Sequence, residues 1–282
     1  MRKPGEMAEW SKAPDSKSGL GQPNGGSNPS LSANQNRPSV SSLSAKQTRP
    51  LQLALSKIAM TQLTLLLACW TTLVVPLQAI GQSRDADAAF ARGVELQQAG
   101  RFNEAIKAYD EAIQLGSDYP VAYNNRGAAY GAVGRYERAI ADFDRAIGLS
   151  AKYTEAYCNR GAAFGALKQY KQAIRDLDKA IELDSRYARA YNNLAWLLAT
   201  ADEPSFRNGR RAIELALKAC ELSACKDAYL LDTVAAAYAR NGDFAKAIEW
   251  QDKSIAHPEH ALDRDTQMRL KLYREGRAWP PD

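Results

Sequence analysis

The chain has 282 residues and a formal net charge of +5. Residues 1–59 contain 8 Lys and Arg residues against 3 Asp and Glu residues, residues 60–82 contain no charged residue, and residues 83–282 contain 29 of each sign. The net positive charge therefore belongs to the first 59 residues, and the neutral remainder argues against the concentrated basic surface that nucleic-acid binding needs.

Residues 1–59 are rich in Ser, Asn, Gly, Pro and Lys and show no apolar period, so the sequence predicts a disordered leader here. A second interpretation is that this segment is translated from DNA upstream of the true start codon. The run Gly26-Ser27-Asn28-Pro29 matches the conserved T-arm of a transfer-RNA gene when its codons are GGT, TCG, AAT and CCC. This interpretation requires that the genomic DNA folds as a cloverleaf at this position.

Residues 60–82 form an uncharged, mainly apolar segment. Its core has about the length of the apolar region of a signal peptide, and small residues stand at Ala79 and Gly81, where a signal peptidase would read them. The sequence therefore predicts export to the periplasm or cell envelope, with a mature chain that begins at Ile80 or Gln82. Two alternatives stay open. About 20 apolar residues can also span a bilayer as an uncleaved anchor, and the protein is cytoplasmic if the segment is not a signal.

From residue 86 onward the sequence repeats itself with a period of 34 residues. Residues 123–132 return as residues 157–166, and residues 142–147 return as residues 176–181. A glycine recurs where the first helix of a unit would end in a left-handed residue, at Gly100, Gly134 and Gly242, with Lys168 in the third unit. Small residues recur where the two helices of a unit would cross and must approach closely; they are Gly93, Gly127, Gly161, Ala195, Ala105, Ala139, Ala173, Ala212 and Ala247.

These repeated residues resemble the tetratricopeptide repeat family, whose 34-residue unit is a helix–turn–helix. The resemblance covers residues 86–261 and implies an all-α fold, a right-handed superhelical solenoid of about five units with a C-terminal capping helix. The implied units are residues 86–119, 120–153, 154–187, 188–227 and 228–261. Residues 262–282 supply the capping helix and a tail. The apolar side of that helix is predicted from Met268, Leu270, Leu272 and Tyr273, and residues 279–281 are predicted to be loose.

The sequence contains no constellation typical of catalysis. It has no glycine-rich phosphate loop, no HExxH helix, no nucleophile elbow and no paired Cys-x-x-Cys. The chain is therefore predicted not to be an enzyme and to need no cofactor, and two His and four Cys residues are too few for a zinc site of the usual spacing. In an oxidising compartment Cys220 and Cys225 are able to close a small disulfide, and Cys158 is expected to be a buried small side chain.

The family resemblance implies that the first helices of successive units line a concave groove, which receives an extended peptide or a partner helix. The predicted groove residues recur at the repeat period: Asn124, Asn125, Asn159, Asn192, Asn193, Arg92, Arg126 and Arg160. Two interpretations of the asparagines stay open, groove contact with a peptide backbone or a tie between neighbouring helices. For the arginines, pairing with nearby acidic residues is favoured. The pairs Asp142 and Asp144, and Asp176 and Asp178, are expected to be solvated charges or partners for Arg126 and Arg160.

The best-known ligand site of the family, a clamp for acidic chaperone tails, is not matched. Phe90, Val94 and Glu155 stand where that clamp needs Lys or Asn. The sequence therefore predicts a scaffold that binds a protein or peptide of unknown identity in the groove, with no nucleic-acid partner and with membrane contact only through residues 60–82 if these are uncleaved. The alternative is a structural subunit of a cell-envelope assembly that uses its convex face or its terminal helix.

Overall fold

In the computed structural model, residues 75–116, 118–258, 260 and 263–281 are described, with side chains from Arg84 onward. Residues 1–59 and 60–74, which hold the predicted leader and most of the predicted signal segment, lie outside the described residues. The predicted all-α class is confirmed, since the described part of the chain contains eleven α-helices and no strand. Those helices are α1 Val75–Gln98, α2 Phe102–Leu115, α3 Pro120–Ala132, α4 Tyr136–Leu149, α5 Thr154–Ala166, α6 Tyr170–Leu183, α7 Ala188–Thr200, α8 Gly209–Ser223, α9 Ala228–Arg240, α10 Phe244–Ile255 and α11 Arg264–Arg274.

The described residues from 85 onward belong to one compact unit, and Val75–Arg84, the first part of α1, belong to a second unit. In the unit that begins at residue 85, each helix packs against the next to form a helix–turn–helix pair. The pairs are α3 with α4, α5 with α6, α7 with α8 and α9 with α10. None of the described helices is both long and apolar enough to cross a membrane.

The α3–α4 and α5–α6 pairs are each closed by one large side chain of the second helix, packed on a glycine of the first helix. A Cβ atom added to Gly127 would lie 2.7 Å from Cε1 of Phe143, which is fully buried. Gly161 meets Leu177 in the same way, at 2.9 Å. Because the side chain occupies the space that a Cβ would need, the two helix axes approach more closely than any larger residue would allow.

The turn inside a pair needs a residue with positive φ, which a side chain disfavours. Gly134 supplies it between α3 and α4 with φ +75°. In the next pair Lys168 adopts φ +59° at the same place. Its ammonium group pairs with Asp202 at 2.5 Å, outside the helix pair.

The connection between α7 and α8 is the longest inside a pair and contains a short 3₁₀ turn, Pro204–Phe206. The ring of Phe206 lies 5.4 Å from that of Tyr170, so the longer turn packs back on the preceding pair. Arg207 donates from Nε to the carbonyl of Ala201 at 2.6 Å, and Asn208 caps α8 by accepting from the N–H of Arg211 at 3.0 Å. The extra residues therefore form an ordered turn.

The last helix, α11, covers the α9–α10 pair. Asp263 caps its N-terminus, and Leu270 and Tyr273 face the interior at 5% and 1% exposure. The prediction that Met268 shares this buried side is wrong, because Met268 is 45% exposed. Thr266 and Arg269 instead complete the buried face one turn from Leu270 and Tyr273, at the spacing of neighbours on a helix surface.

Candidate peptide-binding face

The first helices of successive pairs contact one another directly: α3 with α5, α5 with α7 and α7 with α9. We call the surface formed by α3, α5, α7 and α9 the first-helix row. All of the predicted groove residues except Arg92, which lies on α1, belong to this row. The row therefore brings residues of four consecutive pairs side by side.

The asparagines of the row tie neighbouring first helices together. Asn159 donates from Nδ2 to Oδ1 of Asn124 at 2.9 Å, and both side chains are buried. One repeat later Asn193 donates to the sulfur of Cys158 at 3.5 Å, with Cys158 in the place of Asn124. These contacts therefore connect neighbouring first helices. That the asparagines also contact a partner stays a prediction.

The two remaining asparagines differ in exposure. Asn192 is buried, and its side-chain oxygen, like that of Asn193, has no hydrogen-bond partner among the described residues. Asn125 is half buried, and its Oδ1 accepts a long hydrogen bond of 3.4 Å from Asn124. Asn125 is therefore the predicted groove asparagine with side-chain surface left for a partner.

The arginines of α3 and α5 join neighbouring pairs through carboxylates. Arg126 forms a two-point contact with Asp142, at 2.8 and 2.6 Å, and a third hydrogen bond with Asp110 of the preceding pair at 2.6 Å. Burial raises the pKa of Asp142, and the guanidinium of Arg126 only partly offsets this, so the net pKa stays above the ordinary value. Arg160 repeats the arrangement with Asp176 and Asp144.

The same pattern changes in the pairs before α3 and after α5. Arg92 pairs with Glu111, and both side chains are about half exposed. Leu194 stands in α7 where the repeat would place the next arginine, and Arg211 of α8 takes the free carboxylate, Asp178, at 2.6 Å. The favoured interpretation of the arginines, pairing with acidic residues, therefore describes all three.

Sequence reasoning missed the side chain in the row that best suits a ligand, Arg189 of α7. It is half buried, donates to Oδ1 of Asn159 and lies over the ring of Tyr187 at 5.8 Å. Burial lowers the pKa of Arg189. Cys158, Tyr187 and Glu155 raise it by a larger total amount, so the pKa lies above its ordinary value. Among the described residues no carboxylate forms an ion pair with it. The signal for it in the sequence was its position, one repeat after Glu155.

Two tyrosines border Arg189. Tyr153 and Tyr187 recur at the repeat period, directly before α5 and α7. Burial is the main cause that raises the pKa of both hydroxyls, and Arg189 lowers both somewhat. Both hydroxyls stay protonated at neutral pH and are therefore available as hydrogen-bond donors.

The C-terminal tail lies on the same row, and the prediction that residues 279–281 are loose is wrong. The indole ring of Trp279 lies 5.9 Å from that of Trp196 in α7. Arg240 of α9 donates from Nη2 to the carbonyl of Pro280 at 2.7 Å. The tail was missed because these contacts join residues far apart in the sequence, with no repeat to reveal them.

Other polar groups of the described residues include three cysteines and a buried histidine. Cys220 and Cys225 form a disulfide, and Cys158 is buried with a free thiol. His260 is buried, with Nδ1 2.7 Å from Oγ of Ser254. Over the described ranges, no three His, Cys, Asp or Glu residues are grouped so that they would hold a metal ion.

Two family models match the repeat region of the chain. Residues 93–134 match a family model described as a TPR repeat, and residues 120–153 and 154–187 match one described as a tetratricopeptide repeat. No curated protein matches the chain significantly.

Three solved structures illustrate the similarity. The TPR protein TTC0263 of Thermus thermophilus has a TM-score of 0.56 at 18% identity, over 67% of this chain and 99% of that chain. The APC/C hetero-tetramer Cut9–Hcn1 has a TM-score of 0.62 at 15% identity, over 68% of this chain and 36% of that chain. The first TPR of Spaghetti (RPAP3), bound to an HSP90 peptide, is 31% identical over 39% of this chain and 87% of that chain, with a TM-score of 0.38. The first two show the fold.

Proposed function

Because the chain belongs to the tetratricopeptide repeat family, we propose that it is a protein-interaction scaffold that binds an extended peptide or a helix of a partner on the first-helix row. The proposal concerns binding on a preformed surface. The ties between Asn159 and Asn124 and the contacts of Arg126 and Arg160 with carboxylates hold successive pairs in register. A surface held in this way loses little conformational entropy when a ligand binds.

The observation that carries the proposal is the state of Arg189. Its guanidinium has five N–H donors, is half buried and forms no ion pair with a described carboxylate. A main-chain carbonyl or a carboxylate of a peptide supplies the acceptor that such a group needs. A hydrogen bond to a charged group contributes about 1.5–3 kcal/mol, so Arg189 alone would strengthen binding by roughly 10- to 150-fold. The half-buried Asn125 and the hydroxyls of Tyr153 and Tyr187 add donors that do not read side-chain identity.

The test uses peptides selected for binding to the protein from a displayed random library. Their affinities are measured by titration calorimetry for the wild type, for Arg189→Ala and for Arg175→Ala. Arg175 is the matched control, an exposed arginine on the second helix α6. We expect Arg189→Ala to weaken binding at least tenfold, and Arg175→Ala to leave it unchanged. Equal affinities for all three proteins, with unchanged circular dichroism, would overturn the proposal.

A second candidate function is that of a structural subunit that uses its convex face or its terminal helix. The observation in its favour is Met268, a large apolar side chain of α11 that is 45% exposed. Under this alternative, Met268→Ser weakens the partner contact and Arg189→Ala does not. The same pair of variants therefore separates the two functions.

We also propose that the protein is exported and that the segment is cleaved after Ala79 or Gly81. The support is the apolar, uncharged sequence of the segment, with small residues at Ala79 and Gly81. The test is intact mass and N-terminal sequencing of the protein from its native host. A mature chain that begins at Ile80 or Gln82 supports export, and a chain that retains residues 1–59 overturns it.

A further inference from the structure

The C-terminal tail, residues 278–281, returns along the first-helix row after α11 ends. Gly276 has φ +68°, which permits the chain to reverse after the helix. Trp279 then reaches Trp196 of α7, with the two rings tilted by 37° and their centroids 5.9 Å apart. The tail thus touches the same helix, α7, that carries Arg189.

A single guanidinium joins the tail to the end of α7. Arg240 donates from Nε to the carbonyl of Ala199 at 2.8 Å and from Nη2 to the carbonyl of Pro280 at 2.7 Å. Ala199 lies in the last turn of α7, where main-chain carbonyls have no partner within the helix. Arg240 therefore has a structural role at the helix end and, in addition, binds the main chain of whatever segment lies across it.

The surface that receives Trp279 is built without the tail. The guanidinium of Arg269 lies 5.4 Å from the ring centroid of Trp196 and 5.6 Å from that of Trp279. Arg269 is fixed by Asp232 of α9, at 3.0 and 2.7 Å, and both side chains are buried. A guanidinium held in this way, next to an indole, offers a flat stacking surface to an incoming aromatic ring.

The tail contacts this surface as a short peptide ligand would. It provides one aromatic anchor and one main-chain carbonyl, and Pro280 and Pro281 have no N–H that would need a partner. The fixed φ of each proline also limits the conformations open to the free segment, which lowers the entropy cost of binding. Trp279 and Pro280 remain only half buried, so the segment lies on the row as a strap and is not part of the hydrophobic interior.

We propose that the surface formed by Trp196, Arg240 and Arg269 is a docking site for a partner segment in which tryptophan is followed by proline, and that the protein's own tail occupies it as a tethered competitor. This inference rests on the proposed function, since it assigns the ligand chemistry of one end of the first-helix row. Tethering gives the tail an effective concentration in the millimolar range. A partner segment therefore displaces it only when it adds contacts elsewhere, for example with Arg189.

The test uses a fluorescently labelled synthetic peptide with the sequence of residues 276–281 and measures its anisotropy with three proteins. These are the full chain, a variant that ends at Arg277, and the full chain with Trp279→Ala. We expect the peptide to bind both opened variants at least tenfold more tightly than the full chain. A peptide with Ala in place of the tryptophan, and the variant that ends at Arg277 with Trp196→Ala added, should both abolish binding.

No binding to either opened variant would overturn the inference, provided that circular dichroism shows that at least one of them is folded. Trp279→Ala removes only one half-buried side chain and so serves if the shortened chain unfolds. If the wild type is a dimer by light scattering and Trp279→Ala is a monomer, the tail belongs to a second copy, and the proposed competition within one chain is wrong. The library-selected peptides remain a separate readout. If they still depend on Arg189 while the tail peptide does not bind, only this inference fails.

Discussion

The side-chain amide of Asn159 donates a 2.9 Å hydrogen bond to the side-chain oxygen of Asn124, one repeat earlier in the chain. Both residues are buried on first helices, α5 and α3, that contact each other. The bond therefore fixes the position of one pair relative to the next. It also uses the Nδ2 donor of Asn159 that the sequence suggested for a ligand. Asn159 and Asn124 therefore hold the first-helix row together, and other residues of the row have the surface left for binding.

Replacing Asn159 by Ala should destabilise the protein. The change leaves the buried Oδ1 of Asn124 without its donor, and an unsatisfied buried polar group costs about 1–3 kcal/mol. Gln172→Ala is the control, because Gln172 is exposed on the second helix α6. The measurement is the urea midpoint of unfolding. We expect a lower midpoint for Asn159→Ala and no change for Gln172→Ala, and equal midpoints would show that the tie contributes nothing.

Arg126→Ala should be far more damaging than Arg92→Ala. Arg126 is 19% exposed and contacts Asp142, which is 7% exposed. Its removal leaves a buried carboxylate without a counter-charge, at a cost of roughly 3 kcal/mol. Arg92 and Glu111 are both about half exposed, so the loss of that pair should cost about 0–1 kcal/mol. Thermal unfolding of the two variants checks the contrast, and a similar loss in both would contradict the assigned role of Arg126.

Two glycine substitutions in the α3–α4 pair should have opposite signs. A Cβ at Gly127 would lie 2.7 Å from Phe143 and 3.1 Å from the carbonyl of Ala139. Gly127→Ala must force the helices apart and should cost about 1–3 kcal/mol. Gly148 lies in α4 with open space around it, and Gly148→Ala should stabilise the helix by up to about 1 kcal/mol. Urea unfolding of both variants tests this, and the account fails if Gly127→Ala is neutral.

The cap of α11 should make stability depend on acid. Burial raises the pKa of Asp263. Hydrogen bonds from the hydroxyl and the N–H of Thr266 lower it by a larger amount, so the pKa lies below its ordinary value. A carboxylate with a depressed pKa in the folded state stabilises the fold above its unfolded pKa, near about 3.9. That contribution is lost as the pH falls through the folded pKa.

The measurement is the urea midpoint of the wild type and of Asp263→Asn as the pH is lowered from neutral to about 2. The difference between the two midpoints should be constant above the unfolded pKa and should shrink below it. A difference that does not change with pH would mean that the charge of Asp263 has no part in capping α11. The amide keeps a cap acceptor, so the fold of the variant should be preserved.

Reduction of the disulfide should weaken the protein moderately. Cys220 and Cys225 have a sequence separation of 5. Closing so short a loop lowers the entropy of the unfolded chain, which raises the free energy of unfolding by about 2 kcal/mol. Unfolding midpoints with and without a reductant measure the effect. The double variant Cys220→Ala and Cys225→Ala is the control and should not respond to the reductant. A wild type that is equally insensitive would show that the bond does not stabilise the fold.

The repeat and the way each pair closes were predictable from the sequence, because both depend on residues at fixed spacing. The small residue at Gly127 and the large one at Phe143 belong to one helix pair, and the period of 34 copies the relationship to Gly161 and Leu177. For Arg126 the sequence offered Asp142 and Asp144 together, and Asp142 is the one that it contacts. Its second partner, Asp110, belongs to the preceding pair and depends on how pairs stack, which the period alone does not specify.

The candidate site was less predictable. Arg189 has no counterpart in the neighbouring units, where Val121 and Glu155 stand at its place, so self-comparison did not select it. The contact of Trp279 with Trp196 depends on the turn at Gly276 and on the stacking of Arg269 between two rings. Contacts between distant, unrepeated residues leave no period in the sequence, and a tail rich in proline is usually read as loose.

The most direct test of the account is hydrogen exchange, followed by mass spectrometry, of the full chain with and without a peptide selected for binding from the random library. The account predicts that the peptide slows exchange in α3, α5 and α7, the helices that carry Asn125, Asn159 and Arg189, and leaves the second helices α4 and α6 unchanged. Slower exchange confined to the second helices or to α11 would contradict it and would assign the partner to the opposite face or to the terminal helix.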